Sequence, residues 1–323
     1  VAFRVGVHRT NVQYLSVLST RAITITPEMS LSDDRNKMKA CPPLLTRLAA
    51  LLVSASIGGL MVMFSGGTSN LLGERAPVTS KIPRQMFHST SKKCSNHIQI
   101  QDSDYKSKAN EDKKLMQWFG NLCEGSYIEM GALDGIKKSN SHVFNKALQW
   151  KGVLIELTKS SYDKLKVNRP NEDAVINAGV CDIPQTLHYY PPNQAAVSGI
   201  YEFTAPSFRK QWWQDISLDD PRVKEIECDT LDSLLLKNTP NQTYWDFFSL
   251  DVEGAEFAVL KSIDFDRVGF GIIFVEADTH NQMKNLALRD LLESNGYTFL
   301  EEYHGSYWFA NQKIHVIYND LVY

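Results

Sequence analysis

Tyr127-Ile128-Glu129-Met130-Gly131-Ala132-Leu133-Asp134-Gly135 is an apolar run that ends in a glycine-bearing turn. Residues 126–130 suit the first, buried strand of an open α/β sheet. Gly131 and Gly135 lack a Cβ, so the backbone there can turn sharply and approach a ligand. A helical segment is expected from Ser139 to Trp150. Strand, glycine turn and helix in that order form the ligand-cradling corner of a doubly wound fold. Glu129, an acid at a buried strand end, makes sense beside a cationic ligand. The glycines do not spell G-x-G-x-x-G, and the lysine of a phosphate-binding loop is missing.

Three further apolar runs also end in acids. Gly152-Val153-Leu154-Ile155-Glu156 is a second strand, and it places a carboxylate where such folds bind ribose hydroxyls, about 20 residues beyond the glycine turn. Phe247 to Glu256 gives a strand followed by Asp251, Glu253 and Glu256. Gly271 to Asp278 gives another, ending in Glu276 and Asp278. Ligands of open α/β sheets bind outside the strand carboxyl ends, so these acids should converge on one crevice.

YIEMGALDG (127–135), SNS (139–141), WKGVLIE (150–156) and LDVEGAE (250–256) together resemble the FkbM family of S-adenosylmethionine-dependent methyltransferases, over roughly residues 114 to 311. The resemblance implies a class I methyltransferase (Rossmann-like) doubly wound sheet with a terminal antiparallel strand. It also implies O-methylation of a hydroxyl. Leu133 stands where many methyltransferases carry another glycine. By resemblance, Glu129 or Asp134 would bond the cofactor's ammonium, Gly131 and Gly135 would allow its close approach, and Glu156 would hold the ribose. Asp182, after the third strand (173–179), becomes a candidate for the adenine amine; a solvated turn acid is the plain alternative.

Asp251, Glu253 and His280 are the residues expected to act on the acceptor hydroxyl, with Glu276 and Asp278 as neighbouring candidates. A positioned base is worth about 10²–10⁴-fold. A lone histidine is more often structural, whatever its suitable reference pKa. The acids of LDVEGAE would also suit a divalent cation, but no second ligand cluster is fixed by spacing, and no metal is assigned.

The chain has 323 residues, 43% hydrophobic and 22% charged, with a net charge of −3. That balance lacks the basic stripe of a nucleic-acid binder. The cysteines, Cys41, Cys94, Cys123, Cys181 and Cys228, form no C-x-x-C pair and no zinc spacing. Buried thiols are expected for Cys123, Cys181 and Cys228; disulfides are the alternative if the domain enters an oxidising lumen.

Residues 1–43 show no period and are expected to be disordered. The chain starts with Val, so Met29 or Met38 is expected to be the true start. Leu48 to Phe64 is free of charge, and with Leu44 and Leu45 it reaches the ~20 residues that span a bilayer. Residues 44–64 therefore read as a single-pass anchor, with a cleaved signal or an organellar targeting segment as alternatives. Arg35, Lys37, Lys39 and Arg47 before it slightly outweigh Arg75, Lys81 and Arg84 after it, which favours a cytoplasmic N-terminus and a lumenal C-terminal domain. Residues 65–110 read as a flexible stem, and 111–323 as the enzyme domain. Within the domain, 185–228 is long for one connection and reads as an insertion near the site, with Trp212 and Trp213 in a small satellite core or, alternatively, its aromatics lining an acceptor pocket. Asn241-Gln242-Thr243 is a glycosylation sequon.

The leading expectation is an anchored methyltransferase acting on a hydroxyl of a glycan or small metabolite, with S-adenosylmethionine as cofactor, a secretory-membrane location and no nucleic-acid partner. Its rival is a non-catalytic tethered module of the same family, acting in secretory trafficking. A dinucleotide enzyme is disfavoured by the missing fingerprint.

Overall fold

Within each parallel strand, neighbouring residues pack into different cores. In the computed structural model, which describes residues 88–318 apart from 97 and 215, Ile128 and Met130 of β1 (Ser126–Met130) join one core, while Tyr127 joins the other. Val153 and Ile155 part from Leu154 in β2 (Lys151–Ile155), and Phe248 and Leu250 part from Phe247 in β4 (Tyr244–Leu250). Ile273 and Val275 part from Ile272 and Phe274 in β5 (Gly269–Glu276). Alternation sends successive side chains to opposite faces, and helices cover both. That is why these strands are apolar without a break.

Adding β3 (Ala174–Ile176) and the antiparallel pair β6 (Tyr297–Tyr303) and β7 (Ser306–Asn311) gives a mixed seven-stranded sheet in the order β6-β7-β5-β4-β1-β2-β3. The β1, β2 and β3 strands step outward one way, and the chain then returns to place β4 on the other side of β1. The switch point therefore lies between β1 and β4, which is where such sheets open a crevice. The expected antiparallel end of the sheet is present, as a hairpin.

One face is covered by α1 (Glu111–Phe119), α2 (His142–Leu148) and α3 (Lys159–Asn168) through Leu115, Phe119, Val143, Phe144, Leu148 and Leu165. The other is covered by α4 (Leu231–Asn238), α5 (Glu256–Lys261) and α6 (Gln282–Ser294). Their buried residues include Leu235, Val259, Leu260, Leu288 and Leu292. Thr230 caps α4 by accepting a bond from the Ser233 amide at 3.1 Å. Asn281 does the same for α6 through the Lys284 amide at 3.1 Å.

Residues 88–110 belong to this domain rather than to a stem. Lys92–Lys93 pairs with Leu122–Cys123, and Cys94 is bonded to Cys123. The Ser89 hydroxyl donates to Asp246 at 2.5 Å. Asp246 is fully buried at the amino end of the sheet, and it also accepts from the Ser126 amide at 2.7 Å and from the Tyr318 hydroxyl. The segment before α1 and the short helix Ile314–Ile317 with its following Tyr318 are thus tied beneath the same strand. Polar composition alone hid this, because hydroxyls bonded to a buried acid look the same in sequence as solvated ones.

A second disulfide joins Cys181 to Cys228, with Cα atoms 5.9 Å apart. The expectation of buried free thiols is therefore corrected for Cys123, Cys181 and Cys228. Each pair is brought together by strand pairing between residues 29 and 47 positions apart in sequence, which spacing does not reveal. The proposed anchor, 44–64, lies outside the described residues. Among the described residues no helix is long and apolar enough to cross a membrane.

Candidate functional site

The carboxyl ends of β1, β2, β4 and β5 open into a cleft of about 680 Å³. Gly131, Glu156, Asp251, Glu253, Glu276 and His280 all line it. Its roof comes from the insertion. Strands Gln185–Tyr190 and Lys224–Asp229 pair there in a separate four-stranded sheet, and Ser198, Ile200, Phe208 and Trp212 face the cleft. Trp213 is buried in the expected satellite core, its indole N–H donating to the Val197 carbonyl at 2.7 Å. Trp212 follows the alternative instead: it is 44% exposed and forms part of the cleft wall.

Gly131 has φ +79°, and a Cβ there would sit 1.9 Å from the Asp251 carbonyl oxygen. The side-by-side emergence of β1 and β4 by itself requires glycine here, and Gly131 also lines the cleft. Gly135 likewise packs on Leu165 and Arg169 and does not line the cleft. Leu133 has φ +48°, so the turn keeps a left-handed residue at the position where glycine is usual. Gly254, at φ +117°, lets the insertion cross the β4 end, for a Cβ would lie 2.9 Å from the Phe203 carbonyl.

Glu129 is buried and already engaged. One oxygen accepts from the Asn140 amide at 2.7 Å; the other accepts from the Ser139 hydroxyl at 2.9 Å and from the Ser141 amide and hydroxyl at 3.3 and 2.5 Å. Each carboxylate oxygen has about two acceptor sites, so the oxygen bonded only by the Asn140 amide keeps one, and Glu129 lines the cleft. SNS holds Glu129 in place and carries the chain into α2. Asp134 accepts from the Ile136 and Lys137 amides at 3.0 and 2.7 Å, a local turn away from the cleft. Asp182 pairs with Lys261 at 2.8 Å and is also outside it.

Glu156 is different. Each of its oxygens accepts one amide bond, from Leu133 at 2.9 Å and from Thr158 at 2.7 Å, which leaves acceptor capacity facing the cleft. Burial raises its pKa.

Asp251, Glu253 and Glu276 form the centre of the site, with one carboxylate oxygen of each within 4.8 Å of the other two. Asp251 is exposed to the cleft, and the strand ends and the insertion flank it there. Desolvation therefore raises all three carboxyls, and their mutual repulsion raises Glu253 and Glu276 further. Glu253 is pushed up to about 8, and Glu276 lies well above the carboxylate range. Glu276 hydrogen-bonds to Asp251, which fits a proton held on Glu276 and donated to Asp251. Lys108 and Lys138 line the same cleft and partly offset the repulsion.

Of the remaining acids, Glu256 is structural. It accepts the Val252 and Gly254 amides at 3.2 and 3.0 Å and pairs with Lys284 of α6 at 2.9 Å. Lys284 also pairs with Asp278 at 2.7 Å, which removes that acid from the chemistry. His280 lines the cleft, its Nδ1 3.0 Å from the Ser207 hydroxyl and its ring edge-on to Phe208.

Sequence reasoning missed the support behind Glu129. Arg169 is buried and bonds the Gly135 carbonyl at 2.9 Å, the Ser139 and Ser141 hydroxyls at 3.3 and 3.0 Å, the Tyr127 hydroxyl at 2.6 Å and Glu172 at 2.7 Å. Its only sequence signal is an arginine at the end of α3.

A mixed parallel sheet with acids gathered at its switch point defines a methyltransferase-like α/β fold. The family model described as "Methyltransferase FkbM domain" matches residues 129–299, more than half of the chain, and the chain belongs to that family. Among solved structures it is similar to a methyltransferase FkbM from Methylobacillus flagellatus KT, at 12% identity and TM-score 0.37, covering 58% of this chain and 43% of that one. It is also similar to a TehB-like SAM-dependent methyltransferase from Corynebacterium glutamicum ATCC 13032 Kitasato, at 10% identity and TM-score 0.35, covering 63% and 86%. A SAM-dependent methyltransferase from Aquifex aeolicus is similar at 12% identity and TM-score 0.30, covering 62% and 87%. The chain thus spans less than half the length of the Methylobacillus protein. No match was found among curated protein sequences.

Proposed function

We propose that this protein is an S-adenosylmethionine-dependent O-methyltransferase whose acceptor is a hydroxyl on a glycan or small metabolite. The observation that carries this reading is the convergence of Asp251, Glu253 and Glu276 in the switch-point cleft that Glu156 also lines. The cleft volume lies within the ~300–1,000 Å³ of small-molecule sites.

When bound, the cofactor supplies an electrophilic methyl group on a cationic sulfonium. Glu156 would accept hydrogen bonds from its ribose hydroxyls. The acidic cluster favours positive charge nearby. Glu253 takes the proton of the acceptor hydroxyl, while Asp251 and Glu276 share a proton beside it. His280 and Trp212 line the wall and orient the acceptor. The two disulfides fit a domain held in an oxidising lumen, which agrees with residues 44–64 as a single-pass secretory anchor.

The test is thermal unfolding of the purified chain with S-adenosylmethionine, its demethylated product and NAD. A ligand at ~100 times its dissociation constant stabilises by ~2.7 kcal/mol. Stabilisation by the first two and not by NAD is expected. No stabilisation by either, in a folded sample, would leave a non-catalytic tethered module as the better reading.

Glu156→Gln keeps the shape of the side chain but gives up a charged acceptor. A hydrogen bond to a charged group is worth about 1.5–3 kcal/mol, so cofactor affinity should fall roughly 10–100-fold by calorimetry. An unchanged dissociation constant would remove Glu156 from the ribose site.

A further inference from the structure

We propose that Asn241 carries an N-linked glycan, placed at the end of the sheet opposite the cleft. Asn241-Gln242-Thr243 is the only N-x-S/T triplet with x other than proline in the whole chain. The structure adds three observations to this short motif. First, Asn241 is exposed, in the turn that joins α4 to β4, between the exposed Pro240 and the half-buried Gln242. Second, the turn is held by its backbone: the Gln242 amide donates to the Thr239 carbonyl at 3.0 Å, and the Gly269 amide donates to the Thr243 carbonyl at 2.9 Å. The side chain of Asn241 is not needed for either bond. Third, the same domain holds two disulfides, Cys94–Cys123 and Cys181–Cys228. Such bonds persist in the oxidising compartments where N-glycans are added.

The position is also compatible with an open cleft. β4 runs from Tyr244 to Leu250 and delivers Asp251 to the site. At ~3.3 Å per residue, roughly 20 Å of strand separates the sequon from the acids. A glycan at Asn241 would therefore cover the amino end of the sheet and leave the acceptor's entrance clear.

The co-reactant is a lipid-pyrophosphate-linked oligosaccharide. The Asn241 amide nitrogen forms a bond to the sugar's anomeric carbon. The bond from that carbon to the phosphate oxygen breaks, and its electron pair leaves with the pyrophosphate. One amide proton is released. Neither the cofactor nor the methyl-transfer reading enters this step.

The test uses the full chain expressed in animal cells, with electrophoresis before and after peptide N-glycosidase. A mobility shift equal to one glycan is expected, together with conversion of Asn241 to aspartate in the released peptide by mass spectrometry. Asn241→Gln and Thr243→Ala should each abolish the shift, and Thr243→Ser should retain it. Because Asn241 is exposed, Asn241→Gln should leave the unfolding midpoint unchanged after deglycosylation. An unshifted wild-type chain overturns the proposal, whether or not its disulfides are intact. A shift that survives Asn241→Gln overturns it too.

Discussion

Arg169→Met should destabilise the domain by about 3–5 kcal/mol, the usual cost of removing one partner from a buried ion pair. The side chains of Arg169 and Glu172 are 2% and 0% exposed, and their 2.7 Å contact has no water to replace it. Methionine fills much of the volume but leaves the Glu172 carboxylate with only the Tyr127 hydroxyl and the Gly152 amide, at 2.7–2.8 Å. It also frees the Gly135 carbonyl and the two serines that hold Glu129. The loss should therefore reach the β1 turn as well as α3. Arg169→Lys should recover only part, because an ammonium cannot present the guanidinium's fork of donors to so many acceptors. Adding Glu172→Gln to Arg169→Met should restore part of the loss by removing the orphaned charge. Urea unfolding measures all three. A loss for Arg169→Met within about 0.5 kcal/mol, the range of an ordinary surface change, would show that the network contributes no more than its packing.

Glu253→Gln should lower turnover by about 10²–10⁴-fold, the worth of a positioned base, with cofactor affinity little changed. The pH dependence is the sharper readout. With its pKa raised from 4.5 to about 8, Glu253 keeps its proton until high pH. The basic form grows as pH rises, so turnover should climb towards pH 8, with a bound cation drawing the midpoint lower. Glu253→Gln should flatten that climb. Asp251→Asn removes one of the charges that raise Glu253 and should shift the midpoint down while leaving a slope. The same shift has a cost for the apoprotein. Between pH 4.5 and about 8 the folded chain holds a proton that the unfolded chain has lost, so this group's contribution to stability declines as pH rises through that window. Turnover should also be indifferent to chelators. Loss of activity with EDTA, restored by Mg²⁺, would instead assign the three acids to a divalent cation.

The doubly wound sheet was legible from residues 126 to 310 for a local reason. A parallel strand covered on both faces must be apolar throughout, and an acid placed just past its end marks where that covering stops. Glu156, Asp251, Glu253 and Glu276 carry this signal, and the structure brings all four to one cleft. The helix expected from Ser139 to Trp150 was legible too, and the structure places it at His142–Leu148.

Other residues could not be placed from the sequence, because their roles depend on distant partners. Glu129, Asp134 and Asp182 look like strand-end acids in sequence, as Glu156 does. Glu129 is held by Ser139, Asn140 and Ser141 with one acceptor site left, Asp134 is taken up by its own turn, and Asp182 by Lys261, 79 residues away. Gly135 looks like a ligand-facing glycine, but Leu165 and Arg169 occupy the space beside it, whereas Gly131 both lines the cleft and passes close to β4. Cys181 and Cys228 meet because their strands pair within the insertion sheet. Composition and periodicity report how much of a segment is buried and with what repeat. Whether a buried carboxylate still has a free lone pair depends on which donors the folded chain brings to it.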